Sequence, residues 1–139
     1  MMMTTTCNPA GVLDVPLTEC LLLAEGLNGR VVLRLQQMLQ RLRFHVRVAG
    51  SVAAALEMAR GRPPALVLAA GQAFEALAVR LSQHMPADVT ERMALMAVAE
   101  QGAPEEVLRL MMAGADECLV WPFGQQVLAR RLGSLPQFA

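Results

Sequence analysis

Several residue types that support particular functions are scarce or missing in this chain of 139 residues. Lysine and tyrosine are absent, so all 12 basic side chains are arginines, and aromatic residues make up only 4% of the chain. Twelve acidic residues balance the arginines, which leaves a formal net charge of zero. This balance argues against electrostatic binding to nucleic acid or to an acidic membrane surface. We therefore expect neither as a partner.

Cysteines are too few and too widely spaced to organise the chain. The three thiols belong to Cys7, Cys20 and Cys118. An odd number at these separations forms no disulfide framework and matches no metal-ligand spacing. This usage is typical of a reducing compartment, and we expect a cytoplasmic protein without a metal site.

Long hydrophobic runs and targeting signals are also missing. The charge-free stretch Pro63–Phe74 is interrupted by prolines and a glycine. It falls short of the roughly 20 apolar residues that a membrane-spanning helix needs. No basic residues followed by an apolar run occur at the N-terminus, so we expect no signal peptide. With 55% hydrophobic residues, the chain is expected to fold as one domain.

Short apolar runs alternate with amphipathic segments from Cys20 onward. Continuous apolar runs indicate strands that are buried on both faces, and apolar residues spaced by three and four indicate helices. The predicted strands are 20–23, 44–48, 65–69, 94–98 and 117–120, and the predicted helices cover about 32–42, 52–60, 74–84, 104–112 and 125–135.

Five strands, each followed by a helix, predict a doubly wound α/β fold with a parallel sheet. The alternating strand that contains Arg47 is expected at an edge, and the fully apolar strands at the centre. Residues 1–18 show no sustained periodicity and are interpreted as a flexible tail, whereas 19–139 form the domain.

Two stretches give the sequence a family resemblance. Residues 113–123 read Ala-Gly-Ala-Asp-Glu-Cys-Leu-Val-Trp-Pro-Phe, and residues 64–68 read Pro-Ala-Leu-Val-Leu. At this spacing they resemble the receiver domain of two-component response regulators (the CheY-like domain) over roughly residues 20–135. The resemblance implies a flavodoxin-like (βα)5 sheet in the order 2-1-3-4-5. It also implies a site at the carboxyl ends of strands one, three, four and five, where open α/β sheets bind ligands.

The residues that the family uses for phosphoryl transfer are replaced in this chain. Receivers place two acidic residues after strand one, a phosphoacceptor aspartate at the end of strand three, a hydroxyl after strand four and a lysine after strand five. At the matching positions stand Glu25 with Gly26, then Ala70, Ala99 and Trp121. Phosphoryl transfer needs fixed cations and donors around the phosphate oxygens, and these residues supply almost none. We therefore expect no catalytic residue, no enzyme activity and no cofactor.

The vacated pocket suggests a packing role for the tryptophan. We expect Trp121 to fold over Ala70 and Ala99, with its indole N–H near Glu25 or a backbone carbonyl. Glu25 itself has two interpretations: a remaining metal or ligand contact, or a solvated carboxylate at a strand end. Cys118 occupies the position of the family's switch aromatic.

The fourth predicted helix is apolar on nearly every side, so part of its surface should be exposed. In receivers the face of helix four, strand five and helix five often binds partners or forms dimers. The residues expected on this face are Leu108, Met111, Met112, Cys118, Arg130 and Arg131. Methionine suits an adaptable interface.

The sequence thus indicates an atypical receiver domain for signal transduction or transcriptional regulation that works by protein–protein interaction or dimerisation, independently of phosphorylation. An output domain in a longer chain is an additional candidate partner. The alternative is a small-molecule sensor whose ligand occupies the vacated pocket. A flavin carrier of similar topology is a third hypothesis, but the chain lacks a phosphate loop rich in serine and threonine.

Overall fold

Five parallel strands form one sheet in the computed structural model, which describes residues 17–138. The strands are β1 Thr18–Leu23, β2 Phe44–Ala49, β3 Leu66–Ala70, β4 Ala94–Ala99 and β5 Glu117–Val120. They lie in the order β2-β1-β3-β4-β5. The doubly wound α/β fold with this strand order is confirmed. Of the predicted tail, residues 1–16 lie outside the described part of the chain, while Thr18 already belongs to β1.

Five longer helices connect or follow the strands: α1 Gly29–Arg41, α2 Val52–Gly61, α3 Gly71–His84, α4 Pro104–Met112 and α5 Gln125–Gly133. The side chains of Asn28 and Ser51 accept hydrogen bonds from backbone N–H groups in the first turns of α1 and α2. The one-turn helix Ala87–Thr90 and the terminal 3₁₀ turn Pro136–Phe138 were not predicted. Helix α3 begins at Gly71, three residues earlier than the predicted start at Phe74.

Side chains of the central strands alternate between two hydrophobic clusters, one on each face of the sheet. Leu21, Leu23 and Val67 pack with α2, α3 and α4, whereas Leu22 and Leu68 pack with α1 and α5. Each of these residues is fully buried. Burial of one such side chain contributes about 1.5–3 kcal/mol, so the apolar strands drive formation of both layers.

The edge strand β2 is tied to its neighbours by Arg47. The Nη1 and Nη2 groups of this arginine donate to the carbonyl oxygens of Met58 and Arg62, at 3.3 and 2.7 Å. Its Nε lies 3.2 Å from Glu19 Oε1 in β1. The arginine therefore adds a second hydrogen bond to the Met58 carbonyl, which also accepts from the Arg62 N–H at 3.0 Å, and it supplies a donor to the Arg62 carbonyl after the end of α2. Within residues 17–138, no helix has both the length and the apolar character needed to cross a bilayer.

Candidate functional site

The carboxyl ends of β1, β3, β4 and β5 lie along one edge of the sheet, because the strands are parallel. Ala70 ends β3, Ala99 ends β4 and Trp121 directly follows β5. Glu25 and Gly26 lie in the turn after β1. The five residues selected from the sequence thus belong to the same edge of the sheet.

The two alanines present only buried methyl groups at this edge. Ala70 is 2% exposed and Ala99 is 0% exposed. They belong to different hydrophobic clusters, with Ala70 on the α1 and α5 face and Ala99 on the opposite face. A methyl group neither attacks phosphorus nor donates a hydrogen bond.

The first carboxylate after β3 also has a partner within the chain. Glu75, one turn into α3, forms an ion pair with Arg109 of α4 at 3.2 Å.

Glu25 has a structural partner. Its Oε1 accepts a hydrogen bond from the backbone N–H of Val52, the first residue of α2, at 3.1 Å. The first N–H groups of a helix have no intrahelical acceptor, and the positive end of the helix dipole favours a carboxylate there. Glu25 therefore stabilises the start of α2, an interpretation that the sequence analysis did not consider.

A divalent cation does not fit the donors at this edge. Mg²⁺ is usually held by one or two carboxylates together with substrate phosphates in octahedral geometry. Of the five residues selected for this pocket, Glu25 alone carries a carboxylate, and it already accepts from the Val52 N–H. Across residues 17–138, no three His, Cys, Asp or Glu side chains are grouped so that they could hold a metal ion.

Trp121 packs on one face of the sheet only. Its backbone N–H donates to Ala99 O at 2.8 Å. The indole ring meets Phe123 edge to face, with centroids 5.1 Å apart and an interplanar angle of 82°. It lies against the cluster that contains Ala70, whereas Ala99 belongs to the other cluster. The indole therefore packs on the Ala70 side of the sheet and not on the Ala99 side, and within the described residues its N–H makes no hydrogen bond to Glu25.

The space beside Trp121 is a shallow groove toward α1. Its volume is ≈ 380 Å³, and its lining includes Asn28, Val31 and Pro122 but neither alanine. The crevice that the small-molecule sensor hypothesis requires, lined by Ala70, Ala99 and Trp121 together, does not correspond to this groove. No observation in the described residues favours that alternative.

The loop between β4 and α4 is held by Glu106, the third residue of α4. Its Oε2 accepts from the N–H of Glu100 at 3.0 Å. Its Oε1 accepts from Gln101 and Gly102 at 3.1 and 2.9 Å. Gly102 has a φ of +72°, and a β-carbon there would approach Val120 Cγ1 to 2.8 Å. A glutamate at the third helical position typically reaches back to preceding N–H groups, and that spacing was the available signal.

Exposed apolar side chains occur on α4 and β5. Leu108, Met111 and Met112 are 60%, 41% and 79% exposed. Val120 at the end of β5 is 45% exposed, and the sequence analysis had not selected it. We call these four residues the α4–β5 apolar face. The two expected arginines of α5, Arg130 and Arg131, are also exposed.

Cys118 does not belong to this face, contrary to the expectation. It is 8% exposed and packs in the cluster under α4. Burial, followed by the negative charges of Glu106 and Glu117, raises the pKa of its thiol. Cys118 is buried because it lies in β5, where it pairs with Ala97 of β4 beneath the helix layer. Arg131 is bound within the chain, since its Nη1 lies 2.7 Å from Glu117 Oε1.

Several solved structures of response regulators and receiver domains share this fold. A putative response regulator from Chloroflexus aurantiacus J-10-fl has a TM-score of 0.74 and 22% identity, with 84% of this chain and 95% of that chain covered. The receiver domain of the sensor histidine kinase PA1611 from Pseudomonas aeruginosa PAO1, with magnesium coordinated in its active site cleft, has a TM-score of 0.73 and 17% identity, covering 84% and 95%.

An orphan response regulator of H. pylori, HP1043, has a TM-score of 0.68 and 16% identity, with 87% of this chain and 97% of that chain covered. No protein-family model matches the chain. A search of curated proteins finds no relative either. At these identities the comparison establishes a shared fold.

Proposed function

We propose that this chain is a receiver-like signalling domain that works by protein docking, independently of phosphorylation and without enzyme activity. The observation that carries the proposal is the chemistry of the carboxyl edge. The β3 end carries the methyl group of Ala70, the β4 end that of Ala99, and an indole follows β5. Phosphoryl transfer depends on a nucleophile and on cations that neutralise the phosphate oxygens. The receiver fold of the structural relatives supports a place in signal transduction or transcriptional regulation.

A loop held in one conformation also supports this function. A receiver that responds to phosphorylation must be able to change conformation, and a ligand shifts such an equilibrium only by its differential affinity for the two states. The three hydrogen bonds that Glu106 accepts from residues 100–102 favour one arrangement of the β4–α4 loop. We infer that the domain rests in one state and that a partner, rather than a phosphate, recognises that state.

The α4–β5 apolar face is the surface proposed for docking, either to a protein partner or to a second copy of the chain. Three of its four residues lie on α4, where Leu108 and Met112 are one helical turn apart and face solvent. Exposed apolar residues grouped in this way mark interaction sites more often than isolated ones do. Arg130 on α5 adds a charged group that is suited to an interface rim.

The first test is chemical. The purified protein is incubated with Mg²⁺ and acetyl phosphate, and its intact mass is measured beside that of a phosphorylatable receiver treated in parallel. We expect no phosphoadduct on this chain while the control receiver gains one. A phosphoadduct on this chain would overturn the proposal.

The second test addresses the surface. Sedimentation velocity and pull-down from native extract compare the wild type with the double variant M111E/M112E. We expect the charged side chains to remove self-association or partner capture, because burying an unpaired carboxylate opposes docking. Val79→Glu is the matched control, since Val79 is 52% exposed on α3, outside the proposed surface. An equal loss in both variants would contradict the assignment of the face.

A further inference from the structure

The zero net charge of the chain conceals an uneven distribution. The segment 29–43, which contains α1, carries Arg30, Arg34, Arg41 and Arg43 and no acidic residue. The segment 121–138, which contains α5, carries two arginines and again no acidic residue. Both helices cover the same face of the sheet. That face is therefore basic, and the carboxylates of residues 17–138 belong to other elements.

Three of these arginines line a groove beside α1. Arg30 and Arg34 line its upper part, of ≈ 380 Å³, together with Trp121 and Pro122 after β5. Arg34 also lines its lower part, of ≈ 200 Å³, with Arg41 and with Gln125 of α5. Because Arg34 belongs to both parts, they form one surface, which we call the arginine groove.

The guanidinium groups of the groove are free to bind a partner. Arg30, Arg34 and Arg41 are all exposed. None of them forms an ion pair with an acidic side chain of residues 17–138, whereas Arg47, Arg62, Arg109 and Arg131 do. Arginine presents several donors in a planar fork that matches a carboxylate.

We propose that the arginine groove binds an amphipathic helix of a partner protein, through aspartate or glutamate side chains along one face of that helix. At 1.5 Å per residue, Arg30 and Arg34 are separated by about 6 Å along α1, and Arg34 and Arg41 by about 10 Å. Acidic residues at the same intervals on a helix packed alongside α1 meet all three guanidinium groups. Neighbouring helices pack about 8–10 Å apart, within reach of arginine side chains.

The composition of the groove favours a peptide over a nucleic acid. Between the arginines it presents the half-buried Val31 and Trp121 and the exposed Pro122. An amphipathic helix fills such positions with its own apolar side chains. A nucleic-acid strand binds through phosphates and through bases stacked on several aromatic rings, and this groove has only one such ring.

This inference goes beyond the proposed function, because it concerns a second surface and states the chemistry of its partner. The α4–β5 apolar face contains no residue of the groove. A variant that loses binding at one surface should therefore keep binding at the other. The two proposals can be tested and rejected independently.

The test uses fluorescence anisotropy with three labelled probes. One is a helical peptide about as long as α1 with glutamates at the matching intervals and leucines beside them; a second has glutamine in place of each glutamate; the third is a single-stranded RNA. We expect the 139-residue protein to bind the glutamate peptide at least tenfold more tightly than either other probe. We also expect this affinity to fall as salt rises from about 50 to about 200 mM.

Charge variants locate the binding. R34Q/R41Q is expected to weaken binding of the glutamate peptide at least tenfold, and glutamine preserves the helix propensity of α1. R80Q/R92Q removes the same charge from exposed positions outside the groove and should leave the affinity within twofold. Three results would each overturn the proposal: no binding of the glutamate peptide, tighter binding of RNA, or equal weakening by both variants.

Discussion

Trp121 carries much of the difference between this edge of the sheet and a phosphate-binding one. Its ring packs against Phe123 and the cluster that contains Ala70. Replacing it with lysine removes those contacts and places a charged group against the hydrophobic cluster. We expect Trp121→Lys to lower the free energy of unfolding by about 2 kcal/mol, less than for a fully buried tryptophan because the ring is only partly buried.

Thermal and urea unfolding of Trp121→Lys measure this loss. Trp121→Phe is the control, because it keeps an aromatic ring against Phe123 and should lose less than half as much. An unchanged melting temperature in the lysine variant would show that the indole contributes no packing energy.

The buried thiol of Cys20 is expected to make the protein less stable as the pH rises into the alkaline range. Burial raises the pKa of its thiol far above the ordinary value in the folded state. Above about pH 9 the unfolded chain releases the thiol proton while the folded chain retains it, so stability falls as pH rises. In that range the Cys20 thiol lowers the free energy of unfolding by up to about 1.4 kcal/mol for each pH unit.

Urea unfolding between about pH 7 and 10 measures this dependence. Cys20→Ala is expected to be less stable at neutral pH, because it loses buried sulfur contacts, but to show a shallower decline above about pH 9. Parallel pH profiles for the wild type and the variant would contradict a raised thiol pKa.

At the scale of elements, the β4–α4 loop depends on one carboxylate. Glu106 accepts from three backbone N–H groups, and a hydrogen bond to a charged acceptor typically contributes about 1.5–3 kcal/mol net, less where the site is partly exposed as here. Glu106→Gln leaves one neutral acceptor oxygen for these donors. We expect a loss of about 1–2 kcal/mol in stability and faster amide exchange at residues 100–102.

Hydrogen–deuterium exchange of the loop separates this effect from a loss of charge alone. Glu105→Gln removes the same charge one residue earlier, at an exposed position that makes none of these bonds. Its exchange and stability should match the wild type. Equal exchange in the two variants would mean that the carboxylate of Glu106 does not hold the loop.

The start of a helix can be predicted from the sequence where a side chain caps the helix or a proline begins it. Ser51 and Pro104 are residues of these two kinds, and α2 and α4 begin directly after Ser51 and at Pro104. By contrast, α3 follows directly on β3 at Gly71, whose φ is +53°, and no side chain caps it. The one-turn helix Ala87–Thr90 is too short to produce a periodic pattern.

For the whole molecule, the two hydrophobic clusters share one sheet, and each strand between them contributes side chains to both. We expect Leu39→Ala in one cluster and Leu77→Ala in the other to lower the stability of a single cooperative transition, each by about 3 kcal/mol. Circular dichroism and tryptophan fluorescence, followed together in urea, test this. Two separate transitions in either variant would show that the layers unfold independently.

The net charge of the whole chain does not show how charge is distributed over its surface. The zero total led to the expectation that neither nucleic acid nor an acidic membrane is a partner, yet α1 and α5 carry only basic charged residues. The sequence shows that residues 29–43 lack acids. Only the packing of α1 and α5 on the same face makes these segments one basic surface.

Local pattern by itself determined the strands, the helices and the parallel α/β class, because hydrophobic periodicity depends on neighbours in sequence. It also determined which residue types end the strands: the methyl groups of Ala70 and Ala99 and the indole of Trp121. Tertiary structure decided what each side chain meets. Glu25 bonds to Val52, 27 residues away, and Trp121 joins one face of the sheet rather than two. Such contacts depend on how separate elements pack, and no local pattern records them.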